Sequence, residues 1–197
     1  MQRSSREEVL DAVEACVRDV GVKRTTMAEI ARRAGMSRST LYTHVADVDQ
    51  ATAALLTRRL VELLGDAAVE DAGDAVPARD RLVARARHLA ARISADPLIA
   101  RILDLDGELL VPYLAHRLGS SQRAMLDAVA ELVRQGQADG SIRLGEPARI
   151  AFSVFLVVQA FVISSRIADA EQGLDAMLDE LELVVSRTLA PADGATS

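Results

Sequence analysis

Arg38, Ser39, Thr40, Tyr42, Thr43 and His44 crowd hydrogen-bonding groups and one fixed cation into a short stretch of a 197-residue chain. A guanidinium carries paired N–H donors that match guanine O6 and N7 across the DNA major groove. Arg38 is therefore the leading candidate for reading a base edge. Ser39, Thr40 and Thr43 are shorter, and suit base edges, thymine methyls or phosphate oxygens. Catalytic chemistry finds no comparable grouping. His44, His88 and His116 are spread without metal-ligand spacing, and Cys16 is the sole cysteine. No Gly-rich phosphate loop and no G-x-S-x-G run is present. Asp104, Asp106 and Glu108 make an acidic cluster that reads as a loop and helix cap rather than a metal or acid–base site. No enzyme activity, cofactor site or metal site is expected.

The elements that must position Arg38 lie between Arg24 and Asp47. Thr26 and Glu29 have capping-box spacing, in which the threonine oxygen takes the Glu29 amide and the glutamate reaches back to the cap. Ile30, Ala31 and Ala34 share one face of the helix that follows, and Gly35 stands where a helix ends in the left-handed conformation. Ser37 is a second N-cap, which makes Arg38 the first residue of the next helix. Met36 and Leu41 have the spacing of a hydrophobic staple across that cap. Two short helices joined by so tight a turn cross steeply, and the small Ala31 and Ala34 let them approach. The pattern is a helix-turn-helix, which places its second helix in the major groove.

The run from Thr26 to His44 resembles the N-terminal helix-turn-helix of TetR-type (tetracycline-repressor-like) regulators. Thr26, Ile30-Ala31, Ala34-Gly35, Ser37 and Leu41-Tyr42-x-His44 carry the likeness. It spans about the first quarter of the chain. The resemblance implies that Tyr42 and His44 are backbone contacts, a hydroxyl and a ring N–H each donating to a phosphate oxygen. Alone, Tyr42 would more often be a half-buried core residue and His44 a surface histidine; their company in the motif assigns them. Thr26 and the open amides of its helix N-terminus would form another phosphate site. The chain departs from the family pattern at Val45, where phenylalanine is usual, and at Val48, where lysine is frequent. The second change removes a phosphate-pairing charge, and Asp47 and Asp49 add repulsion beside it.

Half the residues are hydrophobic, aromatics are 3% and tryptophan is absent. Abundant Ala, Leu and Arg favour helix, and the turn-rich signature of a sandwich or barrel is missing. The expected fold is all-α, a three-helix DNA-binding head plus a larger helical ligand-binding and dimerisation domain, with about nine helices in total. The expected limits are 5–64 for the head, with the helix-turn-helix at 26–45, then 66–190 for the body and 191–197 for a flexible tail. The formal charge is −6, divided as +1 over residues 1–47 and −7 over the rest. Such a head touches phosphates through a few placed groups, so a modest affinity and a shallow salt slope are expected. A single cysteine fits a reducing compartment, and the first ten residues lack the apolar core of a signal peptide. The expected location is the cytoplasm.

Along the chain, Val9, Val13, Cys16, Val17 and Val20 line one face of a first helix from Ser5 to about Val20. Cys16 reads as a small core residue, not a redox thiol. The next helix opens at Asp47 and is expected to stop at Gly65. Pro77 and Asp96-Pro97 open two more, a further one begins at Gly119 and runs to about Gln135, and 136–145 reads as a loop. The penultimate helix, about 146–168, contains IAFSVFLVVQAFVI, too short an apolar run to span a membrane. It is apolar nearly all round, so it must be covered on more than one side. With the amphipathic final helix it suggests a two-fold four-helix interface between copies. Polar groups on otherwise apolar helices, His88, Arg92, Arg101, Tyr113, His116 and Gln159, are candidates to line a ligand pocket with Phe152, Phe155 and Phe161.

The function these features imply is a homodimeric, sequence-specific regulator on a palindromic double-stranded operator, released by a small-molecule effector. An effector-independent architectural DNA-binding protein of the same fold is the rival; broad genomic coverage in place of a few tight sites would favour it.

Overall fold

The computed structural model describes residues 5–67, 76–107 and 118–191 of the chain. These form nine α-helices, and no strand occurs among the described residues. The helices are α1 (Ser5–Val20), α2 (Met27–Arg33), α3 (Arg38–Tyr42), α4 (Val48–Ala67), α5 (Ala78–Ser94), α6 (Pro97–Asp106), α7 (Ser120–Ala138), α8 (Pro147–Gln172) and α9 (Leu174–Leu189). The all-α expectation holds. Packing gathers them into two compact units, one of α1–α3, most of α4 and α6, the other of α5 and α7–α9 with the end of α4.

The first unit closes on a core that the valine stripe of α1 begins. Val9, Val13, Cys16 and Val17 are fully buried there with Ile30, Leu41, Ala51 and Leu55. Burial pushes the Cys16 thiol up, which suits an inert core group. The sequence placed α6 in the body, yet its Leu98 and Ile102 complete this core. Asp96 explains how α6 is anchored. Its Oδ1 accepts the Leu98 and Ile99 amide protons at 3.0 Å, and its Oδ2 takes the Arg59 guanidinium of α4 at 2.6 Å. Arg58 beside it bridges Asp11 at 2.7 Å and Glu14 at 2.8 Å on α1.

In the second unit α5, α7, α8 and α9 pack as a four-helix bundle, with α7 and α9 each touching both α5 and α8. Leu82, Ala90, Val133, Ile150, Val154, Leu178, Leu181, Val185 and Leu189 fill its core. Three helix ends differ from the sequence expectation. α4 runs through Gly65 to Ala67, and α8 continues to Gln172. The third, α7, passes through Gly136 to Ala138, where a loop was expected. Glycine there reads as a helix breaker, but its missing side chain is what admits Ile142, whose Cγ1 and Cδ1 occupy the space a Cβ would need.

α8 is apolar on both sides, and among the described residues only one side is covered. Ile150, Ala151 and Val154 are buried, whereas Phe152, Leu156, Ile163 and Ile167 are exposed, as are Leu183 and Val184 of α9. By length and composition alone α8 could also cross a membrane; its packing on α7 and α9 makes it a bundle helix with one bare face.

Candidate nucleic-acid interface

Thr26 adopts extended backbone ahead of α2, and its Oγ1 accepts the Glu29 amide proton at 3.2 Å. The cap is one-sided, contrary to the reciprocal box expected from the spacing. The Glu29 carboxylate turns forward along the helix and takes the Nε groups of Arg32 and Arg33, each at 2.8 Å. Two guanidiniums outbid one backbone N–H because charge-assisted bonds are the stronger ones. The Arg32 bond first, then that of Arg33, lowers the Glu29 carboxyl to about 2. Arg33 also reaches Asp19 of α1 at 2.6 Å. The positive charges of α2 are thus paired within the protein.

The turn follows the sequence expectation closely. Gly35 takes φ +66°, Gly35 N–H bonds to the Arg32 carbonyl at 3.3 Å, and Met36 N–H bonds to the Ala31 carbonyl at 3.1 Å. This double closure is a Schellman motif. A Cβ at Gly35 would meet nothing within 4 Å, so the backbone angle alone demands glycine. Ser37 caps α3 by accepting the Thr40 amide proton at 3.1 Å. Met36 and Leu41 both pack into the core of the first unit, Leu41 without exposure. Val45 is buried there and Val48 packs against it. Gln50 N–H bonds to Asp47 Oδ1 at 2.7 Å, opening α4 as expected.

Anchored by Leu41, α3 turns its other side outward. Arg38, Ser39, Thr40, Tyr42 and Thr43 are all exposed, Tyr42 at 54%, and His44 is half-buried. At 3.6 residues per turn, Ser39 and Thr43, two positions either side of Leu41, lie on the far side of the helix from it. The hydroxyls are already engaged: Ser37 Oγ lies 2.8 Å from Ser39 Oγ and 2.9 Å from Thr40 Oγ1, and Thr43 Oγ1 donates to the Thr40 carbonyl at 2.7 Å. Arg38, Tyr42 and His44 remain as the long donors around this face.

A family profile described as bacterial regulatory proteins, tetR family, matches residues 9–44. An uncharacterized HTH-type transcriptional regulator of Mycobacterium tuberculosis is 35% identical over 173 residues, covering 88% of each chain. The chain belongs to the TetR family. It is a DNA-binding, HTH-type transcriptional regulator. Solved structures share the TetR fold over nearly the whole chain. A protein of unknown function from Rhodococcus sp. RHA1 matches with a TM-score of 0.70 at 23% identity, covering 96% of this chain and 97% of its own. The regulator FadR from Bacillus subtilis, in complex with stearoyl-CoA, matches with a TM-score of 0.65 at 16% identity, covering 93% and 98%.

In the body of this TetR-family chain, Phe152 and Phe155 lie with ring centroids 5.9 Å apart on α8. His88 and Arg92 of α5 and Gln159 of α8 are half-buried in the same unit. Arg101 is not with them. It belongs to the first unit, where its Nη2 lies 3.4 Å from the Asp19 carbonyl. Tyr113 and His116 lie outside the described residues. A polar hollow of about 270 Å³ is lined instead by Ser94, Ser165, Arg166, Asp169, Ala170 and Leu174. Asp106, read from the sequence as part of a loop and helix cap, binds a partner 84 residues away that no local pattern signals.

Proposed function

We propose that this regulator is a homodimeric repressor that reads a palindromic operator with α3 and leaves it when a small molecule binds the helical body. The exposure of Arg38, Ser39, Tyr42 and Thr43 on a helix anchored by the buried Leu41 supports the reading most directly. Arg38 reads a guanine, while Tyr42, His44 and Thr26 hold phosphates and fix the register. Ser39, Thr40 and Thr43 complete the contact surface.

The bare face of α8 and α9 supports the dimer, because six large apolar side chains stand together on two adjacent helices. Two copies related by a two-fold axis bring two α3 helices to successive major grooves. An effector that binds better to one spacing of the heads shifts the population away from the DNA-competent state, and DNA disfavours the effector by the same factor. The stearoyl-CoA complex of the B. subtilis relative makes acyl-CoA thioesters the first effector class to test. His88, Arg92 and Gln159, with Phe155, are the side chains we assign to the effector; Phe152, exposed on the bare face, goes with the dimer interface instead, and Arg101, Tyr113 and His116 have no support beyond the sequence pattern.

Arg38→Ala tests the assignment of α3. It should cost about 1–3 kcal/mol on the best operator and blur one base position, while Tyr42→Phe should weaken all sequences alike. An unchanged sequence preference in Arg38→Ala would show that this helix does not read through Arg38.

A further inference from the structure

We infer that Thr43 reads the 5-methyl group of a thymine, and that its own methyl, not its hydroxyl, makes the contact. The inference rests on the proposed docking of α3 in the major groove. Thr43, the C-cap of α3 and still helical in backbone, stands opposite Leu41 and is exposed, so it is at the centre of the outward face. Its hydroxyl has one proton, and that proton goes to the Thr40 carbonyl at 2.7 Å. Turning Oγ1 back onto the helix leaves Cγ2 as the group presented beyond it, since a threonine Cβ carries only these two heavy substituents. The other side chain at the centre, Ser39, has its hydroxyl held against Ser37 at 2.8 Å. The Thr43 methyl is therefore the apolar group that a base meets there, and the Thr43 hydroxyl has no proton left to donate to it. Among the four bases, thymine alone offers an apolar group on the major-groove edge.

The division of labour follows. Arg38 discriminates by paired hydrogen bonds, and Thr43 by methyl packing, which does not compete with water for a donor. Thr43→Val keeps the methyl and removes the hydroxyl; Thr43→Ser does the reverse. Neither change touches the core, because Thr43 is exposed.

The test takes an operator enriched from random duplex DNA by the full-length protein, and replaces each thymine in turn by deoxyuridine, which lacks only the 5-methyl group. Affinities for the wild type and both variants are read by fluorescence anisotropy. Wild type should lose about fourfold at one thymine per half-site, the value of one buried methyl-sized group. Thr43→Val should keep that loss. Thr43→Ser removes the methyl from both protomers, so it should bind the all-thymine operator about sixteenfold more weakly and be indifferent to uracil at that position. Thymine sensitivity that survives in Thr43→Ser, or disappears in Thr43→Val, overturns the assignment, as does a wild type indifferent to every replacement. Failure of α3 to read bases at all has a different signature: no operator is enriched.

Discussion

The carboxylate of Asp106, in the last turn of α6, accepts the Val22 amide proton at 2.7 Å. Asp106 is 3% exposed and sits at the negative end of its helix, where a carboxylate is disfavoured. What holds it there is the turn between α1 and α2. Gly21, at φ +82°, brings that turn so close that an added Cβ would lie 3.0 Å from Asp106 Oδ2. Thr26 and the start of α2 follow four residues later, so α6 helps set where the helix-turn-helix begins.

Asp106→Ala should therefore destabilise the protein by about 1–3 kcal/mol, the cost of a buried donor left without its partner. Asp106→Asn, which keeps an acceptor oxygen, should cost less. Urea unfolding midpoints at neutral pH give both values.

Asp96 carries two duties that one substitution can separate. Asp96→Ala removes the α6 cap and the Arg59 pair together, and should cost about 2–4 kcal/mol. Asp96→Asn keeps a capping oxygen and loses only the charge, so it should fall between wild type and Ala in thermal unfolding.

Glu29 gives the chain an acid-sensitive element. Its carboxyl is lowered from an ordinary 4.5 to about 2, first by the Arg32 hydrogen bond and then by Arg33. A depressed folded-state value means stabilisation that is fully present above about 4.5 and is lost as pH falls towards about 2. In Glu29→Gln that part of the stability profile should flatten. Because the group is partly exposed, added salt should shrink the difference. Chemical denaturation at a series of pH values checks both.

Gly136→Ala is expected to destabilise by about 1–3 kcal/mol through overpacking against Ile142. Elsewhere in an exposed helix the same change would stabilise. Calorimetry of the single variant decides the sign.

Ile163 and Ile167 stand one helical turn apart on the bare side of α8, Ile167 with 70% of its surface exposed. Replacing both with Glu should leave the fold intact, shift sedimentation towards the monomer and weaken operator binding. A stable dimer in that variant would put the interface elsewhere.

The parts of this molecule written in neighbouring residues are the parts the sequence discloses. Ser37, Gly35, Asp47 and Asp96 each act within a few positions of themselves, and the structure finds all four as caps or turns. Glu29 shows where locality ends. Its spacing to Thr26 suggests a reciprocal cap, but two arginines further along the helix offer charge and win. Gly136 and Asp106 depend on Ile142 packing and on a partner 84 residues distant, which no periodicity records. The α6 helix was misplaced for the same reason, since an amphipathic stripe says that a face is buried and not against what. Ligand-facing side chains are harder still. Polar groups on apolar helices mark candidates, but the packing of whole helices decides which ones border a hollow, and the groups bordering this one are Ser94, Ser165 and their neighbours.

The most direct measurement is selection of binding sites from random duplex DNA by the full-length protein, repeated with Arg38→Ala. A dimer reading through two α3 helices should enrich an inverted repeat with half-site centres about 10 base pairs or a multiple apart. Arg38→Ala should lose preference at one guanine in each half-site. Enriched sequences without two-fold symmetry, or an Arg38→Ala preference identical to wild type, would contradict the account.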